Sequence, residues 1–125
     1  MKIESIELEN FRGFRGNHKI SFSTDEEKST TLIIAENGVG KSTILNSIYW
    51  CFYGNLTENS HKKGVIRHQK PTSKHCSVKI RVTTENPIRN SDKEFLIQRK
   101  YKSSTDSDLF VWEVDQHGSN HKKHA

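Results

Sequence analysis

The stretch "LIIAENGVGKST", residues 32–43, decides the fold that this sequence predicts. A continuous apolar run comes first, a glycine-rich turn follows, and Lys41 then opens a segment with helical periodicity. This order nearly spells G-x-x-x-x-G-K-[ST], the phosphate-binding loop that joins a buried strand to a helix. Ala35 occupies the first glycine position, which ends the strand, and a residue with negative φ there can carry a methyl group.

The residue types in this loop suit the binding of phosphate. Backbone N–H groups bent around an anion point at its oxygens, and the dipole of the following helix adds to the attraction. Gly38 and Gly40 supply the bend, and Lys41 can reach the outer phosphates. Ser42 can place its hydroxyl on a magnesium ion. We therefore predict a nucleotide and Mg²⁺ site formed by Gly38, Val39, Gly40, Lys41, Ser42 and Thr43.

Length and composition favour one packed domain with long polar loops. The chain has 125 residues, of which 31% are hydrophobic and 28% charged, within the range of a single domain. It contains no apolar run of membrane length, and its N-terminus lacks the apolar block of a signal peptide, so we expect a cytoplasmic protein. Cys51 and Cys76 have no metal-ligand spacing, and we expect two buried, reduced thiols.

Hydrophobic periodicity predicts the elements around the loop. "SIELENFRGF" (5–14) and "NHKISFS" (17–23) alternate as an antiparallel strand pair. "TTLIIAE" (30–36) is typical of a strand covered on both faces. "KSTILNSIYWCFYG" (41–54) predicts a helix that is stopped by Gly54. Its one broad buried face would hold Ile44, Ile48 and Phe52, with Leu45 and Tyr49 beside them.

The rest of the chain predicts a polar loop over 55–75 and then three alternating strands. These strands are "CSVKIRVTT" (76–84), "KEFLIQRKY" (93–101) and "DLFVWEVD" (108–115), and together they predict an antiparallel sheet. The last residues, 116–125, show no periodicity, and we expect a disordered or frayed tail. The predicted fold class is α/β.

Residues 1–115 resemble the N-terminal lobe of SMC-like ABC ATPases, a group of double-strand-break repair, RecF-like and DndD-type DNA-restriction ATPases. The resemblance rests on "MKIESIELENFRGF" (1–14), on "LIIAENGVGKSTILNSIYWCFYG" (32–54) and on the strands that follow. It implies a P-loop NTPase fold, specifically lobe I of an ABC-ATPase head with an antiparallel β subdomain, incomplete by itself.

The resemblance also implies ligands and partners. ATP and Mg²⁺ would be the cofactors, with Arg12 of "NFRGF" as a nucleotide contact and Asn37 facing the outer phosphate. In the complete protein, ATP-driven homodimerisation of heads would act on DNA, in repair or in defence against foreign DNA. A nuclease partner is left open, and no membrane partner is expected.

Several parts of a complete ABC ATPase are not identifiable in the sequence. These are the magnesium-sensing glutamine, the LSGG-like signature, the Walker B Asp-Glu pair and the switch histidine. "FVWEVDQ" (110–116) places Gln116 where Walker B needs a catalytic glutamate, so it is interpreted as a strand end. We expect the ATPase activity to belong to the complete protein and this chain to bind ATP with little or no hydrolysis.

Two alternatives come from other classes of protein. "VDQHG" (114–118) matches the DxxG motif of GTP-binding switch proteins, although it lies far from Lys41 and no NKxD motif occurs.

The histidines of the tail, His117, His121 and His124, have no carboxylate or cysteine partner in sequence, and no metal site is expected there.

The second alternative is a module that binds nucleotide or DNA without processing it. Residues 61–102 carry twelve Lys and Arg against three Asp and Glu, and such a basic block can hold duplex phosphates. A solvated sheet face would have the same composition. The candidate DNA contacts are Lys79, Arg81, Arg99, Lys100 and Lys102.

Overall fold

The computed structural model describes residues 1–35, 41–55, 75–85, 92–103 and 106–114, together with the backbone of 120–124. The elements in chain order are β1 (Lys2–Phe11), β2 (Phe14–Ser21), α1 (Lys41–Tyr53), β3 (Ser77–Thr84), β4 (Lys93–Ser103), β5 (Asp106–Val114) and β6 (Asn120–His124). The described strands form one sheet in the order β2-β1-β3-β4-β5-β6. All neighbouring strands in it are antiparallel.

The predicted strand pair at the N-terminus is confirmed as the hairpin β1–β2. Ile6 pairs with Ile20, and Phe11 pairs with Phe14 across a tight turn. Strand β1 pairs on its other side with β3, so it lies inside the sheet. Its apolar side chains can therefore be covered by α1 while both of its backbone edges are hydrogen-bonded.

The three predicted strands after the helix are also confirmed. Strand β4 pairs with β3 on one side and with β5 on the other. Val78, Ile80 and Val82 of β3 are buried, and they alternate with charged residues on the opposite face, as a sheet covered on one side requires.

Helix α1 forms where it was predicted, but it buries a different stripe, and Leu45 and Tyr49 of the predicted face are exposed. Its most buried residues include Ser47, Trp50 and Cys51, while Ile44, Ile48 and Phe52 are only partly buried beside them. Ser47 can occupy the centre because its hydroxyl donates to the Ile44 carbonyl at 2.6 Å. The buried hydroxyl of Ser47 therefore has a hydrogen-bond partner.

Helix α1 ends at Tyr53, and Gly54 follows it as the predicted stop. Gly54 has a φ of 75°, and its N–H donates to the Trp50 carbonyl at 2.8 Å. This left-handed conformation closes the last turn and favours glycine.

The strand predicted over "TTLIIAE" does not form among the described residues, because 31–35 have no regular secondary structure. Leu32 and Ile34 are 78% and 84% exposed. A strand is stable only beside a partner that accepts its backbone hydrogen bonds, and no described strand pairs with this segment. The apolar run is present, but the neighbours that would cover it are not among the described residues.

The tail also differs from the prediction of a frayed segment over 116–125. Residues Asn120–His124 form β6, which pairs with β5. The edge of a sheet offers backbone N–H and C=O groups for pairing, and an added edge strand needs no apolar periodicity to bond them. Residues 115–119 and 125 lie outside the described residues.

The core lies between one face of the sheet and α1. It consists of Ile6, Leu8, Phe11, Trp50, Cys51, Cys76, Val78, Ile80 and Val82. Within the described part of the chain, no helix has the length and hydropathy of a membrane span.

Glycine substitutions can test how the end of α1 is built. A Cβ on Gly54 would lie 3.1 Å from Nη1 of Arg99, and its φ is positive, whereas Gly16 has a φ of +76° in open space. We expect Gly54→Ala to lower the free energy of unfolding by about 2 kcal/mol and Gly16→Ala by about 1 kcal/mol. Chemical denaturation measures both.

Gly13→Ala is the matched control, because a Cβ on Gly13 would meet no atom within 4 Å and the residue has no positive φ. It should leave stability unchanged or raise it slightly. Equal losses for Gly54→Ala and Gly13→Ala would contradict this account of the helix end.

Candidate functional site

The start of α1 is exposed and carries no acidic residue in its first turn. Lys41 and Ser42 are exposed and Thr43 is partly buried. The first N–H groups of a helix have no acceptor within the helix and form its positive pole. With Lys41 beside them and no carboxylate in the turn, this end of α1 suits an anion such as phosphate.

The loop that precedes the helix lies outside the described residues. Asn37, Gly38, Val39 and Gly40 therefore stay predictions from the sequence. Of the predicted order, the described residues show that Lys41 begins the helix.

Arg12 lies in the turn of the β1–β2 hairpin. It is partly buried and has a φ of 50°, a left-handed conformation that is uncommon for a residue other than glycine. Asn10, with the same φ, secures the turn. Its Oδ1 accepts from the Gly16 N–H at 2.8 Å, and its Nδ2 donates to the His75 carbonyl at 2.9 Å.

The hairpin packs directly on the helix that follows the loop. The ring centroids of Phe11 and Trp50 are 5.6 Å apart, with both side chains buried. The turn and α1 therefore belong to one packed unit. Arg12 remains a predicted nucleotide contact.

Three of the candidate DNA-contact residues pair with carboxylates on neighbouring strands. Lys79 lies 3.9 Å from Glu7, and Lys102 lies 3.3 Å from Asp108. Arg81 donates to Glu94. The basic excess seen along the chain is therefore partly neutralised on the folded sheet.

Lys100 has a different surrounding. Its Nζ lies 5.3 Å from the centroid of the Phe110 ring, within the range of a cation–π interaction. Phe110 and Trp112 stack with ring centroids 5.7 Å apart, on the face of β5 that pairs with Gln98 and Leu96. This aromatic pair lies on the face of the sheet opposite α1.

The structure gives Arg99 a contact that differs from the predicted one. It is only 9% exposed, and its Nε donates to the Cys51 carbonyl at 3.0 Å. The guanidinium is therefore turned toward the helix and away from any phosphate on the surface. The sequence held a signal for this, because Arg99 continues the two-residue alternation of Phe95 and Ile97, which face the core.

The two cysteines are free and buried, as predicted. Burial raises the pKa of the Cys51 thiol to about 12, although hydrogen bonding and the charge of Arg99 act to lower it. The described residues hold no cluster of His, Cys, Asp and Glu suited to a metal ion. His117 and the side chains of His121 and His124 lie outside what the structure describes.

The raised pKa of Cys51 predicts a pH effect on stability. The folded thiol keeps its proton from the ordinary value of 9.0 up to about 12, whereas the unfolded thiol ionises above 9. The contribution of the Cys51 thiol to the free energy of unfolding is therefore fully present below pH 9. Above pH 9 it falls by about 1.4 kcal/mol per pH unit. Chemical denaturation between pH 8 and 10.5 should therefore show a larger loss of stability in the unmodified chain than in Cys51→Ala.

Cys51→Ala is the control because it removes only this titration, while tyrosines and lysines titrate in both proteins. Parallel slopes for the two proteins would contradict the raised pKa. Alkylation at pH 8 gives an independent measurement, since neither thiol of the native chain should react before unfolding.

Comparison with known proteins identifies the class to which this arrangement belongs. Residues 5–124 match the sequence profile of a family described as "AAA domain". The chain is 38% identical over 78 residues to the DNA replication and repair protein RecF of Acholeplasma laidlawii, covering 62% of this chain and 20% of that protein. It is 45% identical over 51 residues to the RecF protein of Chlorobium phaeovibrioides, covering 41% and 12%.

A third relative extends across most of the chain. The chromosome partition protein Smc of Methanocaldococcus jannaschii is 32% identical over 120 residues, covering 88% of this chain and 10% of that protein. The chain thus spans a fifth or less of the length of these relatives.

The fold and the family match define a P-loop NTPase fragment, with mixed α/β structure around one antiparallel sheet. The chain belongs to the AAA domain family. Together with the RecF and Smc relatives, this confirms the resemblance to the N-terminal lobe of an SMC-like ABC ATPase.

Proposed function

We propose that this chain is the ATP-binding part of an SMC-like ABC ATPase. The observation that carries the proposal is the exposed start of α1, where Lys41 and Ser42 follow the glycine-rich loop and the first helical turn holds no acidic residue. The match of the family profile over 5–124 supports the same site.

The residues at the helix start fit ATP and Mg²⁺ by their chemistry. The free N–H groups of the first turn and the ammonium of Lys41 would hold phosphate oxygens, and the hydroxyl of Ser42 would bind the ion. Mg²⁺ would neutralise charge on the phosphates. Arg12 and the loop residues Asn37 to Gly40 would complete the binding of the nucleotide.

Turnover would require parts that this sequence does not show, namely the Walker B pair and the signature. In this proposal the chain binds and orients ATP, and hydrolysis takes place only when two complete heads close on the nucleotide. Binding would then favour the closed dimer and hydrolysis would reopen it.

An apolar surface on α1 supports the presence of a second lobe in the complete protein. Leu45 and Tyr53 are 66% and 67% exposed, and the ring centroids of Tyr49 and Tyr53 lie 4.8 Å apart. These residues recur every four positions and so form one stripe on the helix. Leu32 and Ile34 are exposed as well, and exposed clusters of apolar side chains mark interaction sites. We propose that the other lobe of the head covers this apolar surface.

DNA is the proposed partner of the complete protein, in repair, in chromosome handling or in defence against foreign DNA. The names of the RecF and Smc relatives support the first two. Because Lys79, Arg81 and Lys102 face carboxylates, Lys100 is the candidate whose charge is best placed to meet a phosphate. A nuclease partner stays a proposal from the resemblance alone.

ATP binding is the first test of this proposal. Titration of the chain with ATP and Mg²⁺ should show binding that is lost, by at least about tenfold in Kd, in Lys41→Ala, because the ammonium contact to phosphate is removed. Lys28→Ala is the matched control, since Lys28 is also exposed and lies outside the loop. Isothermal titration calorimetry measures the affinities, and phosphate release should stay near background.

GTP as competitor separates the alternatives. Preference for ATP supports the proposal, whereas a preference for GTP would favour a switch protein. Equal binding by Lys41→Ala and the unmodified chain would contradict a site at the start of α1.

The proposed lobe interface makes a second prediction. Replacing Leu45 and Tyr53 together by Gln should reduce self-association of the isolated chain, because each large apolar side chain contributes roughly 1.5–3 kcal/mol when buried. Sedimentation velocity over a range of concentrations measures this. The melting temperature should stay within a few degrees, since both side chains are exposed. Unchanged self-association would contradict an apolar interaction surface on this face of α1.

A further inference from the structure

Arg99 is the most buried charged residue among those described, at 9% exposure. Its guanidinium joins two elements. Nε donates to the carbonyl of Cys51 in the last turn of α1 at 3.0 Å, and Nη1 donates to the hydroxyl of Ser107 on β5 at 2.8 Å. One side chain therefore ties the end of the helix to two neighbouring strands.

The positive charge of Arg99 lies at the negative, C-terminal end of α1. None of the ion pairs found among the described residues includes it. The carbonyls in the last turn of a helix have no partner within the helix and form its negative pole. Arg99 supplies both a donor to one of these carbonyls and a charge that this pole favours.

The end of the helix is shaped to admit the guanidinium. Gly54 follows α1, and a Cβ at that position would lie 3.1 Å from Nη1 and 3.3 Å from Cζ of Arg99. A side chain at residue 54 would therefore displace the guanidinium. The contact is thus built from three sides: helix, glycine and strand.

We propose that Arg99 is a positioning residue for the nucleotide site, which it holds in place through α1. The inference rests on the function proposed above, because it requires that phosphate binds at the first turn of this helix. Arg99 itself does not touch the nucleotide. It fixes the far end of the helix against the sheet.

The physical reason is that a helix transmits a displacement along its length. The 13 residues of α1 span about 20 Å, so a tilt of about 3° at one end moves the other by about 1 Å. Phosphate binding depends on several N–H groups converging on the same oxygens. A shift of this size weakens all of these bonds together.

Three variants of β4 separate positioning from stability. Arg99→Gln removes the charge and the guanidinium, and Arg99→Lys keeps the charge but has a single nitrogen in place of the two that bond Cys51 and Ser107. Leu96→Ala is the matched control, since Leu96 is a buried residue of the same strand, at 7% exposure, that alternates onto the face away from α1. Each variant is brought to a temperature at which circular dichroism shows it fully folded, and ATP binding with Mg²⁺ is then measured by calorimetry.

Arg99→Gln should raise the Kd for ATP by about tenfold, because the N–H groups of the first turn converge less well on the phosphate when the far end of α1 is not held. Arg99→Lys should recover part of this loss. Leu96→Ala should keep the affinity of the unmodified chain even where its melting temperature falls as far as that of Arg99→Gln. A role in stability alone would give unchanged affinity in all three folded variants and would overturn the proposal.

Ser107→Ala keeps the test decisive if Arg99→Gln fails to fold. It removes only the second anchor of the guanidinium and should raise the Kd by about two- to threefold. An unchanged Kd for Ser107→Ala in that case would overturn the proposal.

Lys41→Ala distinguishes the two levels of failure. If it abolishes ATP binding while Arg99→Gln binds normally, only the positioning role is wrong. If the unmodified chain binds no ATP, the proposed function fails and the inference fails with it.

Discussion

The packing of α1 on one face of the sheet is the interaction on which the rest of the described structure depends. Trp50 and Cys51 are buried against β1 and β3, and Phe11 meets the Trp50 ring. Since β1 and β3 carry their buried apolar residues on this face, the helix is the layer that gives them a core. The same packing fixes the direction of α1 and therefore the place of its first turn.

Polar groups that enter this core are all bonded. The thiol of Cys51 lies 3.4 Å from the Val78 carbonyl, the hydroxyl of Ser47 bonds within the helix, and Arg99 bonds its end. No described buried side-chain polar atom lacks a partner. Hydrophobic burial alone does not fix the position of α1 along the sheet. These hydrogen bonds do, because a hydrogen bond is lost when its geometry changes.

Electrostatics on the other face of the sheet follow from strand pairing. Along the chain, Lys79 and Arg81 belong to a basic block, but pairing sets β3 between β1 and β4, which carry Glu7 and Glu94. Each such pair at a partly exposed position contributes little to stability. Its larger effect is to remove the single-sign field that would attract a polyanion.

The sequence by itself determined β1 to β5 and α1, and it predicted the chemistry of the loop, but it did not indicate β6. Alternation predicted β1 to β5, the period of α1 and Gly54 predicted the helix and its end, and the motif ending in Lys41 and Ser42 predicted a phosphate site. These features are local, because they depend on residues within one or two turns of each other. The resemblance to a lobe of an SMC-like ABC ATPase could be found for the same reason.

Only the tertiary structure decided which residues face each other. It turned Arg99 to the helix end, paired the basic block with carboxylates, bonded β6 to the edge of β5, and left Ile34 exposed, with no partner among the described strands. Each of these outcomes depends on an element that is distant in sequence. Burial and strand pairing each need two surfaces, and the local sequence pattern of one segment describes only its own surface.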